Sequence, residues 1–469
     1  MASSIELIEC PHLDSYASKY NARVKNVRID GQEYANLLDR DDVVLRDIVR
    51  GKLGCNDMKL HAYVRAGPRK NNFFDPKKTN AAIVTCGGLC PGLNDVIHHL
   101  YKTLVRVYGA SKVFGIRGGW PGFYNMKPLR PLCYDDVKGI QKRGGTILGT
   151  TRGGFDEEKI SKVLAENRID LLFVIGGDGT HRGAEKLFLR SKEDGRPLSV
   201  IGIPKTIDND IGLIDRSFGF STSIEEAVRV IRSARTEASS NVPNGIGVVK
   251  LMGRHAGFIA AHATLASADV DLCLIPEISL NLDQCLEHLH QVLKKNGSAV
   301  IVRFVSRCVT QSYHLLFVIT TTLTTHNRKQ VLAEGAGADL LLKDAETKKE
   351  TDASGKQPEL PPIGPWFVKS LKEFLKSNKI PGGAVKYIDP SYIIRSVPAN
   401  SSDSLLCMML AQNAVHAAMA GFTGCSVGLC NNRLVLLPIS KIVENSPRGV
   451  NPRGRTVERI ISVTHQPKS

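Results

Sequence analysis

The sequence predicts an α/β protein with two doubly wound, mainly parallel-sheet lobes facing across one active-site cleft. Three observations carry this expectation. Short apolar runs end repeatedly in glycine or proline turns: Ala81–Thr85 before Gly87-Gly88, Leu171–Ile175 before Gly176-Gly177, and Val200–Ile203 before Pro204. Runs of that length without alternation read as strands buried on both faces, the habit of parallel sheets. Helical patterns separate them, and strand, turn and helix in alternation mark a doubly wound fold. At 469 residues the chain is also long enough for two or three domains with substantial cores.

Residues 1–78 are polar, mixed in charge and without a clear period, so they are expected as an N-terminal extension with a loop at Gly67–Asn72. The first lobe is expected over 79–215, with later segments able to return to it. It opens with strand Ala81–Thr85, its glycine turn, and a helix from near Leu93, where Asn94 and Asp95 suit a first turn. Val113–Ile116 follows as a strand ending at Arg117-Gly118-Gly119. The second lobe is expected over 216–437. Thr222 with Glu225 fits a capping box, and Ala227, Val230, Ile231 and Ala234 form a helical apolar stripe. Gly245–Leu251 reads as a strand leading to Met252-Gly253-Arg254 and a helix of small residues. Residues 343–362, charged and proline-bearing, read as a linker, and 438–469 as a C-terminal tail.

One segment breaks the pattern. Arg303–Gln330 contains no Gly, Ala, Pro, Asp or Glu and six threonines, in a chain with 42 glycines and 46 acidic residues. Without it, Ser298–Val302 would run straight into Val331–Gly337 as one strand and a glycine turn. It reads either as a family-specific hairpin or surface loop, or as translated non-coding sequence such as a retained intron, and the second is favoured.

Composition narrows the function. The apolar runs fall far short of the ~18 residues of a membrane span. The N-terminal stretch carries Glu6 and Glu9 and no long apolar core, unlike a secretory signal or an acid-poor transit peptide, which points to the cytoplasm. The eleven cysteines are scattered and form no C-x-x-C pair, so free thiols are expected. The net charge of +16 is not gathered into a basic arm, which argues against nucleic acid and for small anionic substrates.

Two acid-bearing turns then stand out, Gly176-Gly177-Asp178-Gly179-Thr180 and Lys205-Thr206-Ile207-Asp208-Asn209-Asp210, each directly after a buried-strand pattern. Open α/β sheets bind ligands at the carboxyl ends of their strands. The glycines let backbone approach a phosphate, Asp178 can hold the Mg²⁺ that neutralises it, and Asp208 can take a proton from an attacking hydroxyl. This is phosphoryl-transfer chemistry. The first turn alone also occurs in NAD and lipid kinases, but those leave Thr206–Asp210 and Tyr392–Arg395 unexplained. His98, His99, His255 and His262 read as packing or solvent-facing residues, and Cys86 and Cys90 as small packing residues.

With these motifs the chain resembles the 6-phosphofructokinase family. The matching elements run in family order: Gly87, Thr151-Arg152-Gly153-Gly154, Gly176–Thr180, Pro204–Asp210, Met252-Gly253-Arg254, Glu334-Gly335 and Tyr392-Ile393-Ile394-Arg395. Lys205 and Lys386–Tyr392 are similar to the plant and kinetoplastid ATP-dependent branch. The resemblance implies that 79–215 binds nucleotide and 216–437 sugar phosphate. Gly87, Arg152, Gly153, Gly177, Asp178, Gly179 and Thr180 would cradle ATP, with Asp178 as the Mg²⁺ ligand. Asp208 would deprotonate the C1 hydroxyl of fructose 6-phosphate, while Arg152 and Arg254 stabilise the transferring phosphoryl group. Thr206, Ile207, Asp208, Met252, Gly253, Arg254 and Glu334 would hold the sugar, and Lys386, Tyr392, Ile393, Ile394 and Arg395 its 6-phosphate.

The resemblance also bears on the donor. An aspartate in place of Gly179 accompanies pyrophosphate use in the family, whereas glycine leaves room for the α-phosphate of ATP. Lys205 argues mildly for pyrophosphate, and Gly179 decides for ATP. The alternatives are a pyrophosphate-dependent phosphofructokinase and a regulatory subunit impaired by the 303–330 segment. A homo-oligomer, a tetramer by resemblance, with allosteric control is implied. Two departures limit the transfer: Gly245 stands where bacterial members have an arginine donated across a subunit interface, and Tyr392 where they have histidine.

Overall fold

The structure is a computed structural model that describes residues 5–26, 36–39, 41–46, 48, 60–126, 128–253, 256–278, 281–304 and 363–467. Arg254, His255, Glu334, the remainder of the 303–330 segment beyond Phe304, and the 343–362 linker lie outside the described residues. The chain divides into two compact units, the first comprising 1–225, 352–356 and 392–448, the second 226–351, 357–391 and 449–469.

In chain order the strands are β1 (Ile5–Ile8), β2 (Val24–Lys25), β3 (Val43–Leu45), β4 (Leu60–Arg65), β5 (Asn71–Asn72), β6 (Asn80–Thr85), β7 (Lys112–Ile116), β8 (Leu171–Gly176) and β9 (Ser199–Pro204). They continue with β10 (Gly245–Leu251), β11 (Leu272–Leu274), β12 (Ser298–Phe304), β13 (Val385–Ile388), β14 (Cys425–Cys430) and β15 (Arg433–Pro438).

The first unit is built on a nine-stranded sheet in the order β1-β4-β15-β14-β9-β8-β6-β7, with β3 beside β4. From β14 to β7 every pairing is parallel. Strands β8 and β9 are buried throughout, which is why each reads as an unbroken apolar run. One face is closed by the helices Glu157–Glu166 and Asp178–Glu193, whose Ile160, Val163, Leu164, Ala184, Leu187 and Phe188 pack with Val84, Leu172 and Val174. The second unit holds a wholly parallel sheet in the order β11-β12-β10-β13. Leu286, Leu289 and Leu293 of one helix and Phe367, Leu371 and Leu375 of another pack with its Ile246, Val248 and Ile301.

Several expectations need correction. The 1–78 segment is no mere extension, because β1, β3 and β4 complete the large sheet. Residues 392–437, expected with the sugar-phosphate lobe, supply β14, β15 and the helix Ser401–Met419 to the first unit. The tail is divided: 438–448 belongs to the first unit, and 449–467 to the second, where Gln466 exchanges two hydrogen bonds with the Cys273 backbone of β11. Thr222 is not an N-cap. Its helix runs Phe220–Ser240, and the Thr222 amide and hydroxyl both donate to Asp403, at 2.7 and 2.6 Å. Arg303 and Phe304 belong to β12, in register with Lys250 and Leu251 of β10, so the strand outlasts the expected break at residue 303. Arg303 is buried, its guanidinium over the rings of Phe367 and Trp366 at 4.9 and 5.9 Å.

Candidate active site

The first unit places three turns side by side. From β6 the chain moves outward to β7, then returns on the other side as β8 and continues to β9. Strand order therefore reverses between β6 and β8, and the crevice at the carboxyl ends of a doubly wound sheet opens at such a switch point. The turns after β6, β8 and β9 carry Gly87, Asp178 and Asp208. Backbone bonds extend the ladder into them: the Cys86 amide donates to Ile175 and the Lys205 amide to Gly176, both at 2.9 Å.

Gly87 has φ +89°, a left-handed conformation that favours glycine. Its amide donates to the Thr151 carbonyl at 2.9 Å, and its carbonyl accepts the Thr150 hydroxyl at 2.8 Å. Those bonds bring the Arg152 loop alongside, so that a Cβ on Gly88 would lie 3.5 Å from Arg152 Nη2. Gly153 is also left-handed, at φ +75°. Across the switch point, Gly177 precedes the helix Asp178–Glu193. A helix N-terminus with a glycine-lined approach suits an anion, although the Thr180 amide here donates to the Gly177 carbonyl at 3.1 Å. Nothing lies within 4 Å of where a Cβ on Gly179 would sit, whereas one on Gly176 would meet Thr180 Oγ1 at 2.3 Å. Asp178 is half-exposed, with Arg182 at 3.6 Å one turn along.

The β9 turn is more enclosed. Thr206 Oγ1 accepts the Asp208 amide at 3.1 Å, Ile207 is buried, and the Thr206 carbonyl accepts the Ser217 hydroxyl at 2.5 Å. Lys205 is buried and donates from Nζ to the Gly88 carbonyl at 2.7 Å. Burial pushes its ammonium below the ordinary lysine range, while the neighbouring Cys90 and Cys86 sulfurs and the Asp208 carboxylate act the other way. Gly87, Arg152, Lys205 and Asp208 thus form one connected cluster.

Tyr392, Ile393, Ile394 and Arg395 fall in this same unit rather than with Met252 and Gly253. Tyr392 is 75% exposed, with the Arg395 guanidinium 5.2 Å from its ring centre. Arg395 Nε is buried without a hydrogen-bond partner, a donor that an anion can satisfy. Ile393 is exposed; Ile394 is buried and accepts the Ser223 hydroxyl on its carbonyl at 3.3 Å.

In the second unit, Met252 and Gly253 follow β10, and Gly253 has φ +140°. Lys386 lies exposed on β13 in register with Gly247. Glu277 was not singled out from the sequence. Its Oε1 accepts the amides of Gly257 and Val450, at 2.9 and 2.7 Å, so it fixes the start of the helix Phe258–Ser267 beyond the Met252 turn. No local pattern announces it, because both partners are backbone groups. A Cβ on Gly245 would lie 2.2 Å from the Ala238 carbonyl oxygen, which leaves no room there for the bacterial arginine.

His98, His99, His262, Cys86 and Cys90 behave as packing residues. Nδ1 of His98 meets the Val137 carbonyl at 2.9 Å and that of His262 the Phe258 carbonyl at 2.8 Å, and burial pushes His99 down to about 4. Cys86 and Cys90 are buried, and burial pushes the Cys86 thiol up to about 12. Among the described residues no three His, Cys, Asp or Glu side chains gather as a metal cluster, and no helix is long and apolar enough to cross a membrane.

Comparison with known proteins places the chain in a family. The phosphofructokinase family profile matches residues 80–418. ATP-dependent 6-phosphofructokinase 7 of Arabidopsis thaliana is 44% identical over 91% of this chain and 81% of its own length. ATP-dependent 6-phosphofructokinase 4, chloroplastic, of the same plant is 39% identical over 98% of this chain and 81% of its own length. Among solved structures, the pyrophosphate-dependent phosphofructokinase of Marinobacter aquaeolei superposes with a TM-score of 0.61 at 19% identity, covering 83% of this chain and 92% of that one. At that identity the likeness shows the fold alone. The chain belongs to the phosphofructokinase family.

Proposed function

We propose that this chain transfers the γ-phosphoryl group of ATP to the C1 hydroxyl of fructose 6-phosphate, the step that makes fructose 1,6-bisphosphate in glycolysis. The observation that carries the reading is the register of β8 and β9. Gly176 pairs with Pro204, so the Asp178 and Asp208 turns leave the sheet as neighbours, with the β8 turn bordering the switch point. The names of the related plant enzymes support ATP as donor. So does the open space at Gly179, where a larger side chain would meet the nucleotide.

Catalysis of phosphoryl transfer is mostly positioning and charge neutralisation. Gly177, Asp178, Gly179 and Thr180, with Gly87, Arg152 and Gly153, would hold the triphosphate. Asp208 would accept the C1 hydroxyl proton as the oxygen attacks phosphorus in line, and Thr206 and Ile207 would set its approach. Arg152 and Arg254 would stabilise the charge that spreads over the transferring group. Met252, Gly253 and Glu334 would hold the sugar, and Lys386, Ile393, Ile394 and the Tyr392–Arg395 pair its 6-phosphate. Arg395 brings an unpartnered Nε to that contact.

The residues also fit Mg²⁺. Asp178 offers one half-exposed carboxylate beside open space, and no cluster of acids gathers with it among the described residues. A cation there must take most of its ligands from phosphate and water, which is how Mg²⁺ is commonly bound. When bound, it would neutralise phosphate charge. A homo-oligomer, as a tetramer, and residence in the cytoplasm complete the proposal; light scattering and a fluorescent fusion test them. The activity itself is tested by product analysis with ATP and fructose 6-phosphate, the absence of fructose 1,6-bisphosphate counting against it.

A further inference from the structure

The C-terminal segment just beyond β15 reaches back to the turn that carries Asp208. The Arg448 amide donates to the Asp210 carbonyl at 2.7 Å. Its guanidinium donates from Nε to the Asn209 carbonyl at 3.1 Å and from Nη2 to the Asp215 carbonyl at 3.0 Å. Two residues earlier, Ser446 Oγ accepts the Gly212 amide at 2.9 Å, and Asn445 packs so close that a Cβ on Gly212 would lie 2.2 Å from its carbonyl oxygen. The grip falls on backbone that has reason to move. Asn209 and Leu213 are both held left-handed, at φ +54° and +68°, a conformation that side-chain-bearing residues adopt at a cost. Asn209 is fixed from its other side as well, its Oδ1 accepting the Ser217 amide at 3.0 Å.

We propose that Arg448 is a positioning residue for the reaction, fixing the backbone from Asn209 to Asp215 and through it the carboxylate of Asp208. A guanidinium suits this role because it is planar, it stays charged, and its rigid fork presents Nε and Nη2 to two carbonyls at once. The guanidinium contacts with Asn209 and Asp215 are made to backbone carbonyls, so through them Arg448 acts on the turn. The inference rests on the assignment of Asp208 as base.

The test compares the full-length chain with Arg448→Ala and Arg448→Lys. Hydrogen–deuterium exchange should show faster exchange in peptides covering 206–217 of Arg448→Ala, with peptides covering β8 unchanged. This readout needs no activity, so it separates failure of the inference from failure of the proposed function. In steady-state assays kcat should fall on the order of 10²-fold, as misplacement of a reacting group by about 1 Å can produce. KM for both substrates should change much less. Added guanidinium ion should restore part of the rate of Arg448→Ala, and Arg448→Lys should lie between. Combined with Asp208→Asn, Arg448→Ala should add little further loss, since both changes act on one group. Unaltered exchange at 206–217 would overturn the proposal. So would a folded Arg448→Ala with unchanged kcat, or a full multiplicative loss on top of Asp208→Asn.

Discussion

The Lys205 ammonium donates to the Gly88 carbonyl at 2.7 Å, fastening the turn after β9 to the turn after β6 across the intervening β8 turn. On the proposed function the phosphates of a donor would converge beside this buried ammonium, and discrimination between ATP and pyrophosphate is proposed to fall to the neighbouring turn at Gly179.

Gly179→Asp should therefore leave folding intact, because nothing lies within 4 Å of the new Cβ. It should depress ATP use by placing a carboxylate against phosphate, with fructose 6-phosphate affinity little changed. Steady-state kinetics with each substrate varied in turn check this; unchanged ATP kinetics would move the donor assignment elsewhere.

Asp208→Asn should lower kcat by ~10²–10⁴-fold, the usual contribution of a general base. Fructose 6-phosphate binding, followed by calorimetry, should persist, because the amide keeps the shape of the turn. Lost sugar affinity at unchanged turnover would make Asp208 a binding residue.

Gly245→Arg, which would restore the bacterial residue, should instead disrupt the second unit. The Cβ would meet the Ala238 carbonyl oxygen at 2.2 Å and the Asn241 carbonyl oxygen at 2.8 Å. Overpacking of that kind costs about 1–3 kcal/mol or more. A lowered melting temperature is expected, and a wild-type melt would show that the backbone there yields.

Asp170 gives a pH prediction. Burial raises its carboxyl from 3.8 to about 6, with the Asn80 amide and Arg196 pulling the other way. The folded state then holds its proton more tightly than the unfolded state. The associated stability is present below about 4 and is lost as pH rises to about 6. Thermal melts across that window should show wild type losing stability relative to Asp170→Asn, with the difference level above it. A difference independent of pH would contradict the shift.

Much of this was legible from the chain alone, and the exceptions share a cause. The sequence pattern marks β10 at Gly245–Leu251, and the cores of β6, β7, β8 and β9 within a residue or so, because strands buried on both faces show as apolar runs. β1, β3 and β4 do not stand out in the sequence. Their place depends on β15, whose Val435 and Leu436 pair with Arg65 and Val64 from far along the chain. Thr222 misled for the same reason: its hydroxyl bonds Asp403, 181 residues away, and no spacing rule sees that. Gly87, Asp178 and Asp208 of the candidate site are legible because each turn directly follows its strand. Arg448 and Glu277 are not, since they hold backbone groups, which carry no sequence signature.

The most direct test of the central claim is a product assay on the purified chain with fructose 6-phosphate and Mg²⁺, offering ATP or pyrophosphate as donor, with the position of the new phosphate fixed by NMR. Fructose 1,6-bisphosphate is expected with ATP, little or none with pyrophosphate, and loss of the ATP reaction in Asp208→Asn. Turnover with pyrophosphate alone, or ATP-driven phosphorylation that survives the loss of Asp208, would contradict it.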